Sequence, residues 1–388
     1  MLPLAGRRLW FVGIGGAGLS SYASLARAWG AEVGGWDRVD TPYLRPLEGI
    51  EVVLQAEPVV PDGWEAVVSS AYASVAGRSR ADFLAELVSL RRSIVVAGAH
   101  GKTTTTGMIA FVLAELGLDP AWLVGGEIAQ LGRNAGAGEG WLVVEGDESD
   151  RTIEHLHPEI AVVTNVELDH HSTFSSAAEV ELLFDDWLAG APQVVRGWEL
   201  PPVAFELAVP GEHNRRNAAT ALAALELAGV DRADAEPALA RFTGAGRRFQ
   251  LVGERGGVRV VDDYAHHPSE IAATVAAARE QTAGSVLVLF QPHLYSRTRH
   301  LAHELGTALS TADAACVTEI YPAREEPIEG VGGRLVLEAL RPGMRAGWAP
   351  GVEDGARIVA SWARPGDLVL IVGAGDIDRA GPLVLEAL

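Results

Sequence analysis

The sequence predicts an α/β protein made of three consecutive units, and three observations predict it. Short apolar runs alternate with stretches of helical spacing along the 388 residues, which is the pattern of parallel sheets covered by helices. The first two units each send such a run into a glycine turn, and clusters of charged and polar residues follow several of the later runs. In open α/β sheets, ligands gather beyond the carboxyl ends of strands.

The first unit, residues 1–92, opens with a strand over 9–12. Gly13, Gly15 and Gly18 follow in the spacing G-x-G-x-x-G, then a helix over 19–29 and a strand over 32–35 that runs on to Asp37. An acidic residue about twenty positions after such glycines is where a Rossmann fold holds a ribose. In a chain with 44 glycines, the same spacing also fits a plain turn or a redox dinucleotide site.

The second unit, 93–245, starts with a strand over 93–96. Ala97-Gly98-Ala99-His100-Gly101-Lys102-Thr103-Thr104 follows, then a helix over 103–116 with Met108, Ile109, Val112, Leu113 and Leu116 on one face. Lys102 is the only lysine in the chain; every other fixed positive side chain is arginine. A compact ammonium fits beside β- and γ-phosphates, where a planar guanidinium is too bulky. Strand, glycine loop, Gly-Lys-Thr and helix together form a P-loop, whose backbone amides cradle phosphate while the threonine hydroxyl meets Mg²⁺. The chain is therefore expected to bind a nucleoside triphosphate. Strands over 141–145 and 160–164 each end in a polar cluster, which makes Glu145 and His170 candidate Mg²⁺ ligands beside the loop. Asn214 and Asn217, in His213-Asn214-Arg215-Arg216-Asn217, either cap a helix or hold a base.

The third unit, 246–388, begins at Gly246-Arg247-Arg248-Phe249. Strands are expected over 258–261, 286–290, 315–319 and 368–372, with helices over 269–280, 298–309 and 352–362. Three polar clusters follow strand ends in register, around Asp263-Tyr264-Ala265-His266, His293-Leu294-Tyr295-Ser296-Arg297 and Tyr321-Pro322-Ala323-Arg324-Glu325. They read as the rim of an active site.

Net charge is −20 and hydrophobic residues make up 48%. The first argues against non-specific binding to nucleic acid or an anionic membrane; the second describes a folded chain. Cys316 is the only cysteine, so no disulfide forms within the chain, which fits a reducing cytoplasm. No apolar run reaches the length of a membrane span. Arg7-Arg8-Leu9-Trp10-Phe11 has the start of a twin-arginine signal but reads better as a strand entering the glycine turn.

Taken in order, the glycine turn, Gly101-Lys102-Thr103-Thr104-Thr105-Thr106, Glu145-Gly146-Asp147-Glu148-Ser149-Asp150, Pro210-Gly211-Glu212-His213-Asn214, Asp262-Asp263-Tyr264-Ala265-His266-His267-Pro268 and Tyr321-Pro322-Ala323-Arg324-Glu325-Glu326-Pro327-Ile328 resemble the Mur ligases. The match is best to the branch that adds L-alanine to UDP-N-acetylmuramate in peptidoglycan precursor synthesis, part of cell-wall biogenesis. The resemblance implies a Rossmann-like UDP-sugar domain, a shortened P-loop ATP domain and a C-terminal Rossmann-like domain for the amino acid. It implies cytoplasmic ligation with ATP and Mg²⁺, through an acyl phosphate. By the same carry-over Gly15, Gly16, Gly18, Asp37 and Ser70 hold the sugar nucleotide. Gly98, His100, Gly101, Lys102, Thr103, Thr104, Asn214 and Asn217 hold ATP, while Thr103, Glu145 and His170 hold the metal. Arg248 and Asp263 lie near the nucleotide and His266 near the reacting groups, the three serving catalysis with Lys102, and Tyr264, His293 and Arg297 shape the amino-acid pocket.

The chain departs from the family's pattern in several places. Ala99 stands where threonine is usual, and Leu294 stands where arginine is usual. Only 39 residues separate His170 from Pro210, fewer than is usual. With Lys102 as the only lysine, the carbamylated lysine of some Mur ligases has no counterpart. A peptide-recycling ligase, a UDP-sugar-binding relative without turnover and an NAD-dependent dehydrogenase stand as rival readings.

Overall fold

The computed structural model describes residues 2–169, 173–323 and 325–388. Its contacts concentrate in two compact units. One comprises Met1–Glu167, Val180–Pro201 and Ala218–Arg241; the other comprises Leu168–Glu179, Pro202–Asn217 and Phe242–Leu388.

The first unit carries two sheets. In one, β1 (Arg8–Val12), β2 (Glu32–Asp37), β3 (Glu51–Leu54), β4 (Glu65–Val68) and β5 (Arg78–Ser79) lie in the order β3-β2-β1-β4-β5, all parallel. Because β2 and β4 flank β1, the chain reverses direction of winding there, and the glycine turn after Val12 sits at that switch point. Arg7 and Arg8 lead into this sheet, with Arg7 bound to Glu65 and Glu86. The other sheet holds β6 (Ser93–Ala97), β7 (Ala121–Ile128), β8 (Arg133–Ala137), β9 (Leu142–Glu145), β10 (Ile160–Val163) and β11 (Gln193–Arg196) in the order β11-β10-β6-β9-β7-β8. Strand β6 is central. Val96 pairs with Glu145 on one side, and Ala97 pairs with Val163 on the other. The loops after these three strands thus leave the sheet at one level. The edge hairpin of β7 and β8, antiparallel and rich in glycine and alanine, was not expected from the sequence.

The helix Lys102–Glu115 corrects one expectation. It has no single apolar face, because every residue from Thr103 to Leu113 is buried. A helix surrounded by protein is buried all round, and the Thr106 hydroxyl is satisfied there by donating to the Lys102 carbonyl at 2.8 Å.

The second unit has one sheet, of β12 (Gln250–Arg255), β13 (Val258–Asp263), β14 (Val286–Phe290), β15 (Ala314–Val317), β16 (Arg345–Trp348) and β17 (Leu368–Val372), in the order β12-β13-β17-β14-β15-β16. Its side chains alternate between two cores. Val261, Val288, Phe290 and Leu370 pack against Ile271, Val275 and Leu309 on one face. Val260, Leu287, Leu289, Cys316 and Ile371 pack against Val359 and Val384 on the other. Strands buried on both faces read as continuous apolar runs, so these were legible. Asp263, Val372 and Phe290 are level across the sheet, and the polar clusters that follow them emerge together.

Candidate active site

The P-loop is shaped by its neighbour Asn165. The Asn165 side-chain oxygen accepts from the His100 amide at 2.9 Å, its amide group donates to the His100 carbonyl at 2.9 Å, and its backbone carbonyl accepts from the Ala99 amide at 3.2 Å. Gly98 has φ 125°, and a Cβ there would lie 2.3 Å from the Thr164 hydroxyl, so only glycine fits. Gly101, at φ 79°, turns the chain into the helix. The first return bond of that helix runs from the Thr105 amide to the Gly101 carbonyl at 2.9 Å. The amides of Lys102, Thr103 and Thr104 precede it and form the donor-rich end of the helix.

Lys102 Nζ donates to the Gly98 carbonyl at 2.6 Å and to Glu148 Oε1 at 2.9 Å. The two side chains are 16% and 3% exposed. Burial lowers the Lys102 pKa, but Glu148, Asp147 and Glu145 together outweigh it and hold the ammonium above its ordinary value. Glu148 was within a cluster singled out in the sequence, yet its pairing with the lysine was not expected. The Thr103 hydroxyl donates to Glu145 Oε1 at 2.9 Å, and Glu145 Oε2 accepts from the Gly125 amide at 2.6 Å. A Cβ at Gly125 would stand 2.7 Å from that oxygen, so β7 contributes a glycine that lets the carboxylate approach its backbone. His100 Nε2 lies 3.2 Å from Glu167. His170, the third expected metal ligand, lies outside the described residues.

At the glycine turn, Gly13 has φ 86°, and a Cβ there would press on Ser69 at 2.9 Å. Asp37 is buried. One of its oxygens accepts from the Gly15 amide at 2.7 Å and the other from the Arg38 amide at 2.7 Å. Asp37 therefore clamps the turn against the end of β2. Ser70 is exposed in a short turn after β4, and its neighbour Ser69 is the residue that touches Gly13.

In the second unit, Arg248 is presented by two non-glycine residues in left-handed conformations, Arg247 at φ 57° and Phe249 at φ 52°. Such strain persists only where surroundings enforce it, and it clusters at functional sites. The enforcement here comes from Asp263, whose oxygens accept from the Phe249 and Ala265 amides, both at 2.8 Å. Burial raises the Asp263 pKa while Arg248 opposes it. Arg247 ties Asp262 to the Gly373 and Gly375 carbonyls at 2.9, 2.8 and 3.1 Å. Both guanidinium groups lie over the Tyr264 ring, at 5.2 and 4.9 Å.

His266 Nδ1 is 2.9 Å from the Tyr264 carbonyl. A carbonyl only accepts, so in the neutral ring Nδ1 carries the proton and Nε2 has the lone pair. Burial drives the His266 pKa down to about 3, against Glu270, which raises it. The His293 ring stands 5.9 Å from it and stacks on Tyr321 at 5.8 Å. Arg297 faces inward. Its guanidinium binds Asp169 through contacts of 2.9, 3.1 and 3.2 Å and approaches His293 Nδ1 at 3.2 Å. The ion pair is 5% and 4% exposed. Leu294, between them, has φ 71°. Asn214 donates to the Pro210 carbonyl at 2.7 Å and Asn217 donates to Asn214 at 3.4 Å, both side chains being buried. No helix among the described residues is long and apolar enough to cross a membrane.

Residues 247–375 match the family described as Mur ligase, glutamate ligase domain. The chain is 38% identical to the UDP-N-acetylmuramate–L-alanine ligase of Streptomyces avermitilis, with 100% of this chain and 98% of that protein covered. That alignment runs over 462 positions against 388 residues here, so the relative carries segments without a counterpart in this chain. Among solved structures, the UDP-N-acetylmuramate-alanine ligase of Thermotoga maritima superposes with a TM-score of 0.79 at 26% identity, covering 98% of both chains. A murein peptide ligase from Psychrobacter arcticus shares the fold at a TM-score of 0.66 and 23% identity over the same share of both chains. An identity of this size, sustained along the whole sequence, makes the chain a member of the Mur ligase family, in its UDP-N-acetylmuramate–L-alanine ligase branch.

Proposed function

We propose that this chain uses ATP to join the amino group of L-alanine to the carboxylate of UDP-N-acetylmuramate. The observation that carries the reading is the P-loop, with its lone lysine held on Glu148 and its threonine on Glu145, in a chain alike along its full length to proteins of that name. On this reading residues 1–92 bind the sugar nucleotide, 93–245 bind ATP and 246–388 bind the amino acid. The cytoplasm, which supplies ATP, is the compartment that suits it.

A carboxylate is a poor electrophile. Moving the γ-phosphoryl group of ATP onto its oxygen gives ADP and an acyl phosphate. The amine then attacks the acyl carbon, the bond from carbon to the phosphate oxygen breaks, and phosphate leaves as the amine gives up a proton. The first step rests on positioning and charge neutralisation, which Lys102 and the helix amides after Gly101 provide. The oxygen donors Thr103 and Glu145, the latter seated on the Gly125 amide, suit Mg²⁺. When bound there, the ion would neutralise phosphate charge. In the second step Arg297 with His293 orients the amino acid, and neutral His266, too weak a base to keep the amine proton, lines the pocket, so the proton leaves with the departing phosphate or to water. Arg248 and Tyr264 line the same cluster.

The test is phosphate release from ATP with UDP-N-acetylmuramate, with and without L-alanine, followed by mass spectrometry of products from a panel of amino acids and peptides. Release that depends on both substrates and gives the alanyl product supports the reading. Preference for a tripeptide would replace it with the recycling reaction, and sugar-nucleotide binding without turnover would remove catalysis altogether.

A further inference from the structure

Between the glycine turn and the P-loop stands an arginine that neither site accounts for. Arg80 is the first residue of the helix Arg80–Ser89, whose start is capped by the Ser79 hydroxyl. Its guanidinium turns back into the protein. Nη2 donates to Asp150 at 2.9 Å and reaches Asp147 at 3.4 Å. Nη1 lies 3.7 Å from where a Cβ on Gly18 would stand, at the first turn of the helix Ala17–Ala28. Its Nε is buried without a hydrogen-bond partner. One turn along the same helix is buried Tyr22, whose hydroxyl pKa is raised by burial to about 12, with Arg80 pulling it down.

Asp147 and Asp150 bracket Glu148, the residue that holds Lys102. The Asp147 carboxyl is raised by burial, yet Lys102 first and Arg80 further on pull it below its ordinary range. Arg80, beside Gly18, is thus paired with Asp147 and Asp150, which flank Glu148, the partner of Lys102. Arg80 holds one end of the acidic loop, and Glu148 in that loop holds the lysine.

We propose that Arg80 is a positioning residue that couples the two nucleotide sites. An anionic group bound at the glycine turn competes with Asp147 and Asp150 for its guanidinium, which loosens the acidic loop and releases Lys102 from Glu148 to the phosphates of ATP. The inference rests on the sugar nucleotide binding at the glycine turn, as read above. Coupling of this kind is reciprocal: each ligand raises the affinity for the other by one common factor.

Calorimetry on the full chain with uridine 5′-diphosphate and a non-hydrolysable ATP analogue tests it. In the unmodified protein, saturating uridine diphosphate should tighten analogue binding by about fivefold or more, and the reverse titration should give the same factor. Arg80→Gln should bring that factor close to one while the analogue still binds. Asp150→Asn, which removes the other end of the contact and leaves Arg80 in place, should shrink it as well. Thermal melts establish that each variant is folded. An undiminished factor in folded Arg80→Gln, or no coupling in the unmodified protein, overturns the proposal. Failure of uridine diphosphate to bind the unmodified protein would instead overturn the sugar-nucleotide reading on which it rests.

Discussion

The P-loop and the histidine–arginine cluster each keep a cation on an internal carboxylate, but the two are built on different terms. Around Lys102 the left-handed positions are glycines, Gly98 and Gly101, and the backbone carries little strain. In the histidine–arginine cluster they are Leu294, next to Arg297, and Arg247 and Phe249, which flank Arg248, where L-residues are strained. The lysine keeps some contact with solvent and bonds largely to backbone carbonyls. The arginine is enclosed, and its partner is a full carboxylate across 128 positions of sequence. A phosphate site depends on main-chain amides and needs a cation that moves readily. On the proposed reading, the amino-acid site depends on side chains held rigidly in place, and the rigidity is enforced by buried charge.

The comparison breaks first, and by the largest amount, at the buried pair. Arg297→Ala leaves Asp169 charged and enclosed, which should cost about 3–5 kcal/mol of stability and raise the Michaelis constant for L-alanine. Denaturant melts and steady-state kinetics read the two effects. If stability is unchanged, the pair is not what holds the cluster.

Lys102→Ala should slow ligation by about a hundredfold or more, as loss of a charge-stabilising group does, and should also cost some stability, because it leaves the enclosed Glu148 without its cation. Lys102→Arg should do no better, since a planar fork misplaces the charge. Substantial ligation by either variant would show that the loop amides suffice.

The pH dependence sharpens the contrast. His266 is neutral in the fold, with its pKa near 3 against an ordinary 6.5. Between those values the unfolded chain binds a proton that the folded chain does not, so stability falls as pH drops. Comparing melts at about pH 7 and about pH 5, His266→Gln should lose part of that dependence. His213, lowered by burial to about 4, contributes in the same direction and should leave a residual slope. An identical slope in the variant would mean that His266 is protonated in the fold.

The smallest effect concerns strain. Leu294→Gly should relieve the left-handed backbone and stabilise the protein by about 1 kcal/mol. Loss of stability would show that the leucine side chain packs better than its backbone strains.

Much of this contrast was legible in the sequence, and the rest was hidden for definite reasons. Continuous apolar runs gave β6, β14 and β17 because these strands are buried on both faces. The β7–β8 hairpin escaped because Gly125, Gly126 and Gly136 interrupt its alternation. Asp37 was read as a ribose contact from its spacing after the glycines and Asp263 was placed near the nucleotide by resemblance; in the structure the oxygens of both also secure neighbouring backbone amides. A carboxylate at a strand end serves either purpose, and spacing does not separate them. Asp169 and Arg80 owe their roles to partners at long sequence separation, which periodicity does not reach.

The pairing of Lys102 with Glu148 also bears on side reactions. A mixed anhydride acylates any amine that offers it a lone pair. The chain's one lysine amine is kept protonated by the carboxylates around it, and all its other cationic side chains apart from histidine are guanidinium groups, which are poor nucleophiles because their charge does not leave them. The protein thus presents almost no competing lysine amine to its own activated intermediate, so the scarcity of lysine doubles as chemical insulation.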